Sequence, residues 1–149
     1  MSWAVKLAIL FSGIYLWVGM LTGVWKYYQI RQSPRARAHY YVDIAHRSSL
    51  LYAPATLILA ALGYFSIWSS TALLVCILIN LAFFSFSILS YILHGFLQDT
   101  SNQFKVPHQL GKNQLPRFLM TAFMLLLVIG ELGATSFLLL GTALHFGFF

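Results

Sequence analysis

The sequence predicts an all-α integral membrane protein: an antiparallel bundle of four transmembrane helices, about 3–26, 35–67, 70–97 and 116–145, in one domain over residues 1–149. Three observations carry this. The chain is 60% hydrophobic and 8% charged, against about 25% charged in an average soluble domain. Four apolar stretches are each long enough to cross a bilayer core about 30 Å thick, which asks for about 20 residues per helix. A transmembrane barrel would instead show short alternating segments. The basic residues, finally, gather in two of the three connections, and nothing outside the stretches is large enough for a second domain.

The first stretch runs from Trp3 to Trp25. It is too long for the apolar part of a signal peptide and has no small-residue cleavage pattern before Lys26, so it is expected to be retained. Gly19 and Gly23 form a small-xxx-small pair of the kind that lets helix backbones approach closely in lipid. The segment KYYQIRQSPRARAHYY that follows has the tyrosines and arginines of a headgroup layer. Ser33 and Pro34 read as an N-cap and a first helical residue, which starts the second helix near Pro34, ahead of its apolar part from about Ser48 to Trp68. Pro54 then lies inside that helix, where it removes a hydrogen bond to Leu50 and favours a kink. The third stretch, Thr71 to Leu93, holds the lone Cys76, so no internal disulfide exists and the thiol reads as a small packed hydrophobe. Gln98 to Gln114 is the one sizeable polar loop. Leu115 and Pro116 mark the start of the fourth helix, whose apolar part runs from Phe118 to about Leu144.

The net charge of +6 is distributed as a topology signal. Lys26, Arg31, Arg35, Arg37 and Arg47 lie in or beside the first connection, Lys105, Lys112 and Arg117 in or beside the third, and the second carries no charge. The positive-inside asymmetry puts the first and third connections in the cytoplasm and both termini outside, with a bacterial inner membrane as the expected location. The basic residues therefore meet lipid headgroups, and no nucleic-acid partner is expected.

Only three acids and five histidines are present, so their placement is informative. His39, Asp43 and His46, spaced four and three apart, fall on one stripe of a helix that advances about 100° per residue. His94 ends the third helix, and Asp99, Asn102, Gln103 and His108 follow it. The topology sets both groups at the same end of the bundle. Two readings stay open: solvated interfacial residues, or a metal or cofactor site, since imidazole suits iron, copper and zinc and two histidines with a carboxylate cap one metal face. Glu131 sits mid-membrane in VIGELGAT, where a carboxyl is expected to be neutral. It is either a protonated partner of a neighbouring helix, with Asn80 the candidate, or part of a proton relay. His145 reads as interfacial.

The run SPRARAH, ending at His39, resembles the start of the second helix in the membrane isomerases that include styrene oxide isomerase and hydroxylaminobenzene mutase, where an Ala-His pair follows an arginine. YILHGFLQDTSNQF resembles the end of their third helix and the loop after it, with an Asn-Gln-Phe triplet matched by Asn102, Gln103 and Phe104. The resemblance implies a homotrimer of four-helix subunits binding haem b, with His39 as the iron ligand and Tyr40, His94 and Asn102 around the cofactor. Tyr91 is similar in placement to an active-site tyrosine of the family, and Asp43 and His46 complete the expected catalytic group. The family's asparagine six residues after the ligand histidine is replaced by Ala45, next to His46.

A single imidazole leaves one iron face open, and ferric iron there polarises an epoxide or hydroxylamine oxygen as a Lewis acid. The expected substrate is small and apolar and enters from lipid between helices lined by Phe83, Phe84 and Phe86, unless that run is lipid-facing packing. Two other functions compete: a non-catalytic haem or electron-transfer subunit, in which His46 or His94 joins His39 on the iron, and a small metal or proton carrier using His39, Asp43, His46 and Glu131.

Overall fold

Ser2 starts the first helix by accepting the Val5 amide on its hydroxyl at 3.4 Å, satisfying one of the donors a helix start leaves free. In the structure, a computed structural model that describes residues 1–148, this helix (α1) spans Trp3–Gln32. It is followed by α2, Tyr40–Phe65, α3, Ser70–Leu97, a hairpin of β1, His108–Leu110, and β2, Asn113–Leu115, and α4, Arg117–His145. Each of the four helices is long and apolar enough to cross a membrane.

The second helix begins at Tyr40 and not near residue 35, and α1 runs to Gln32 where the sequence reading stopped it at 26. The turn between them explains both shifts. Ser33 does not start α2 but ends α1 as its C-cap: its hydroxyl accepts the Arg35 amide at 3.3 Å and its carbonyl the Ala36 amide at 3.0 Å, with Ala36 in the left-handed region at φ 50°. His39 takes the N-cap instead, its Nδ1 accepting the Tyr41 amide at 3.3 Å. α2 then runs unbroken through Pro54 to Phe65. The helix α3 ends on Gln98, at φ 49°, whose amide returns to the His94 carbonyl at 2.9 Å. Inside the polar loop the hairpin pairs His108 with Leu115 and Leu110 with Asn113. Gly111, at φ +60°, makes its two-residue turn possible.

Close packing of α1 on α2 depends on glycine. The side chain of Leu50 covers Gly19 and the ring of His46 covers Gly23, with no room for a methyl at either. The apolar core gathers Ala4, Ala8, Ala53, Leu59, Ile77 and Leu138 between the helices. Most polar groups buried among them are paired, as burial away from water favours, with Thr56 Oγ1 an exception. The Tyr15 hydroxyl donates to the Leu81 carbonyl at 3.0 Å and meets Ser85 at 2.8 Å. Asn80 donates to the Cys76 carbonyl at 3.0 Å, and its oxygen accepts from Thr135 at 3.2 Å. Asn80 is therefore engaged by Thr135 and not by Glu131, the partner expected from sequence. The α2–α3 turn holds α4 at one end, through Trp68 Nε1 on the Phe137 carbonyl at 2.8 Å.

Candidate functional site: a cavity between the third and fourth helices

The gap between α3 and α4 is a cavity of about 680 Å³, within the range of small-molecule sites. Its two walls differ. From α3 come Ser87, Ser90, Tyr91 and His94 at i, i+3, i+4 and i+7, one polar stripe on an otherwise apolar helix, joined by Tyr52 of α2 and Gln103 of the loop. The α4 wall, from Leu119 through Met120, Phe123 and Met124 to Leu127, is wholly apolar. Phe104, Leu110 and Leu115 of the loop and hairpin close the end.

His94 is the reactive group of this cavity. It is 5% exposed, and its Nδ1 lies 2.8 Å from Asp99 Oδ1. A carboxylate only accepts, so Nδ1 carries a proton, and in the neutral ring Nε2 has the free electron pair. Nε2 makes no hydrogen bond. Among the described residues the only sealed, unpartnered side-chain atoms are Thr56 Oγ1 and Glu131 Oε1, so Nε2 is not sealed, and the His94 side chain lines the cavity. The second oxygen of Asp99 accepts the Gly111 amide at 2.6 Å, tying the hairpin turn to the same carboxylate. Burial works against the charge of Asp99, but the Gly111 amide and the His94 ring outweigh it and hold the carboxyl below its ordinary value.

Tyr41 supports this arrangement from α2. It is buried, its hydroxyl accepts the Gln103 amide at 2.5 Å, and its ring stacks on Tyr91 and leans on His94 with centroids 6.1 and 5.1 Å apart. The sequence reading named its neighbour Tyr40, which is exposed. The periodicity held the signal, because Tyr41, Ala45, Ser49, Ala53 and Thr56 share the buried face of α2. Gln103 also accepts from Ser90 at 3.3 Å, and His108 donates Nδ1–H to the Gln103 carbonyl at 3.0 Å, so the loop is held from three sides.

The expected stripe of His39, Asp43 and His46 does not form one site. His39 precedes the helix as its cap. Asp43 pairs with Lys26 at 2.5 Å and Arg47 at 2.8 Å, and His46 turns to α1, its Nδ1 2.7 Å from the Gly19 carbonyl. Neither Asp43 nor His46 lines the cavity. Asn102 shapes the loop by accepting the Phe104 amide at 2.9 Å, and it also lies outside the lining. Among the described residues no three His, Cys, Asp or Glu side chains converge as metal ligands. Of the phenylalanine run only Phe86 lines the cavity, against Phe123 at 4.3 Å; Phe84 is buried on Tyr52, also at 4.3 Å.

A haem iron needs just one imidazole, with its coordinating nitrogen bare and the other donating to a fixed acceptor. His39 has the opposite polarity: Nδ1 accepts the Tyr41 amide, so in the neutral ring the proton sits on Nε2, and coordination there would dissolve the cap. Burial lowers the His39 imidazole below its ordinary value, offset in part by Asp99 and reinforced by His94. His94 has the fitting polarity, with Nδ1–H on a carboxylate and Nε2 bare. No protein-family model matches the chain, and no curated protein or solved structure is similar to it.

Proposed function

We propose that this chain is an integral membrane isomerase, acting on a small apolar oxygenated molecule taken from the bilayer into the α3–α4 cavity. In this reading the four helices cross the membrane as an antiparallel bundle, with the basic first and third connections cytoplasmic, in a bacterial inner membrane. The observation that carries it is His94: a buried imidazole, oriented by Asp99, in the wall of a cavity that is otherwise largely apolar.

Epoxide rearrangement illustrates what the site must do. A C–O bond opens, a substituent migrates to the neighbouring carbon and the oxygen becomes a carbonyl, with no atom or electron gained or lost. The protein's task is therefore to hold the oxygen and to keep out water, which would divert the reaction to a diol. The hydroxyls of Tyr91 and of Ser90, which also donates to Gln103, lie one turn before His94 to orient the oxygen, and the apolar α4 wall disfavours water. Asp99 keeps the Nε2 electron pair of His94 available, for a proton or for a metal.

The haem b of the resembling isomerases would be an alternative occupant of the same nitrogen: were it bound, His94 and not His39 has the polarity to hold it. The chemistry such a group supplies when bound is Lewis-acid polarisation of the substrate oxygen. The sparsely covered outer face of α4 is the surface available for the homotrimer the resemblance implies.

Purified protein in lipid nanodiscs, incubated with styrene oxide as probe, tests the reading by gas chromatography alongside a visible spectrum. Phenylacetaldehyde formed by wild type and not by His94→Gln supports it. Diol alone, or equal turnover by both proteins, removes it. A low-spin spectrum needing both His39 and His94 would replace it with electron transfer.

A further inference from the structure

The hydroxyl groups of this bundle fall into two classes. Those packed between helices, Thr56 apart, have partners: Ser12 donates to the Ala53 carbonyl at 2.8 Å, Ser49 to Ala45 at 2.7 Å and Thr142 to Leu62 at 2.9 Å, and Tyr15 is doubly bonded. A serine in an apolar helix ordinarily returns its proton to a carbonyl one turn back. Ser87 does not. Although buried, it returns no hydrogen bond to its own helix, its one neighbour being the Tyr52 hydroxyl, and the Tyr91 hydroxyl has no partner; all three line the cavity. Tyr52 and Ser87 stand within reach of each other, a pairing that uses one of their two hydroxyl protons and leaves the other to the cavity. None of the three is sealed, in contrast to Thr56 Oγ1, one turn from Tyr52, and Glu131 Oε1, one turn beyond Leu127, which mark the same inner end as polar. Hydroxyl protons left unmet at this depth, on Tyr91 and on the Tyr52–Ser87 pair, cost free energy unless something meets them.

The cavity thus has two hydrogen-bonding ends on one wall. His94 and Tyr91 form the outer end, Ser87 and Tyr52 the inner. Seven residues of helix separate Ser87 from His94, which is about 10 Å along the axis. Between and opposite them the lining is aliphatic and aromatic, with the adaptable Met120 and Met124 facing the stripe.

We infer that the occupant is an elongated, mainly apolar molecule with a hydrogen-bonding group at each end, one held at His94 and Tyr91 and the other at Ser87 and Tyr52. This deepens the isomerase reading and rests on it for the identity of the cavity as a substrate site. The oxygen that reacts lies at the His94 end. The second group, a hydroxyl or amine in chemical class, anchors the molecule at the inner end and fixes which of its bonds reaches His94. A monofunctional molecule lacks that anchor and binds in more than one register.

The test uses biphenyl, 4-hydroxybiphenyl and 4,4′-dihydroxybiphenyl as a matched series, titrated against the protein in phosphatidylcholine nanodiscs and corrected for partition into empty nanodiscs. Affinity should rise roughly five- to tenfold with each hydroxyl, the size of one hydrogen bond. Ser87→Ala should cost the dihydroxy probe one such factor and leave biphenyl unaffected. Tyr52→Phe, which keeps the ring on Phe84, should do the same. Equal affinities across the series would overturn the two-ended occupant while leaving the apolar cavity intact as a binding site. Ser87→Ala weakening all three probes alike would also overturn it, by giving Ser87 a packing role. No binding of any probe would overturn both this inference and the substrate site beneath it.

Discussion

Asp99→Asn isolates the one carboxylate on which two elements depend. Its oxygens accept from His94 Nδ1 at 2.8 Å and from the Gly111 amide at 2.6 Å, in a side chain that is 5% exposed. Asparagine keeps the shape but has one acceptor oxygen and one NH₂ group. The Gly111 amide cannot give up its proton, whereas an imidazole can move one between its nitrogens. The amide oxygen therefore goes to Gly111, the NH₂ faces Nδ1, and the ring takes the Nε2–H tautomer. Two charge-assisted bonds, worth about 1.5–3 kcal/mol each, become neutral ones worth about 1 kcal/mol, so the loop loses roughly 1–4 kcal/mol. The electron pair on Nε2 is lost as well, and turnover should fall by between about 10² and 10⁴; the upper figure is the effect of a wrong histidine tautomer in a hydrolytic triad. Styrene oxide conversion measures the second loss and hydrogen exchange at the Gly111 amide the first. A variant with undiminished turnover and an equally protected amide would refute the reasoning at both steps.

Acid should loosen the loop. Asp99 and His39 are both held below their ordinary values, so each contributes stability that is present above its unfolded value and lost as pH falls toward its folded one. Hydrogen-exchange protection at the α2 start should decline below about pH 6.5, and at the hairpin below about pH 4; protection that grows on acidification would contradict this. Gly23→Ala puts a methyl against the His46 ring and displaces it from the Gly19 carbonyl, which should lower stability by about 1–3 kcal/mol in detergent melting. An unchanged melting point would mean that α1 and α2 pack less closely than described. Glu131→Gln should shift stability by no more than about 0.5 kcal/mol, because Oε1 has no partner to lose. A large loss would reveal an ionised, paired carboxylate.

The helices were legible because apolar length is a strong signal, and α3 matches its expected span of 70–97. The start of α2 was not. Ser33-Pro34 has the form of a helix start, and what defeats it is tertiary: His39 caps the next turn and donates its own amide to Gln29 Oε1 of α1 at 2.8 Å. Once His39 stands outside the helix, its 100° relation to Asp43 and His46 no longer applies, and the expected histidine stripe dissolves. His94 and Tyr91 were named from sequence and do meet at the cavity. Asp99 was noticed only as a polar neighbour of His94, since nothing local reveals that Gln98 reverses the chain and brings the carboxylate back onto the ring. The hairpin was hidden by strands of three residues in a polar segment. Only the Gly111-Lys112 turn marked it.

The most direct test of the account is the comparison of His94→Ala with His39→Ala, each purified in nanodiscs and assayed for styrene oxide conversion and for the visible spectrum after haem reconstitution. Loss of turnover, and of any bound haem, in His94→Ala, with both retained in His39→Ala, is the predicted result. The reverse pattern, with His39 required and His94 dispensable, would contradict it and return the site to the start of α2.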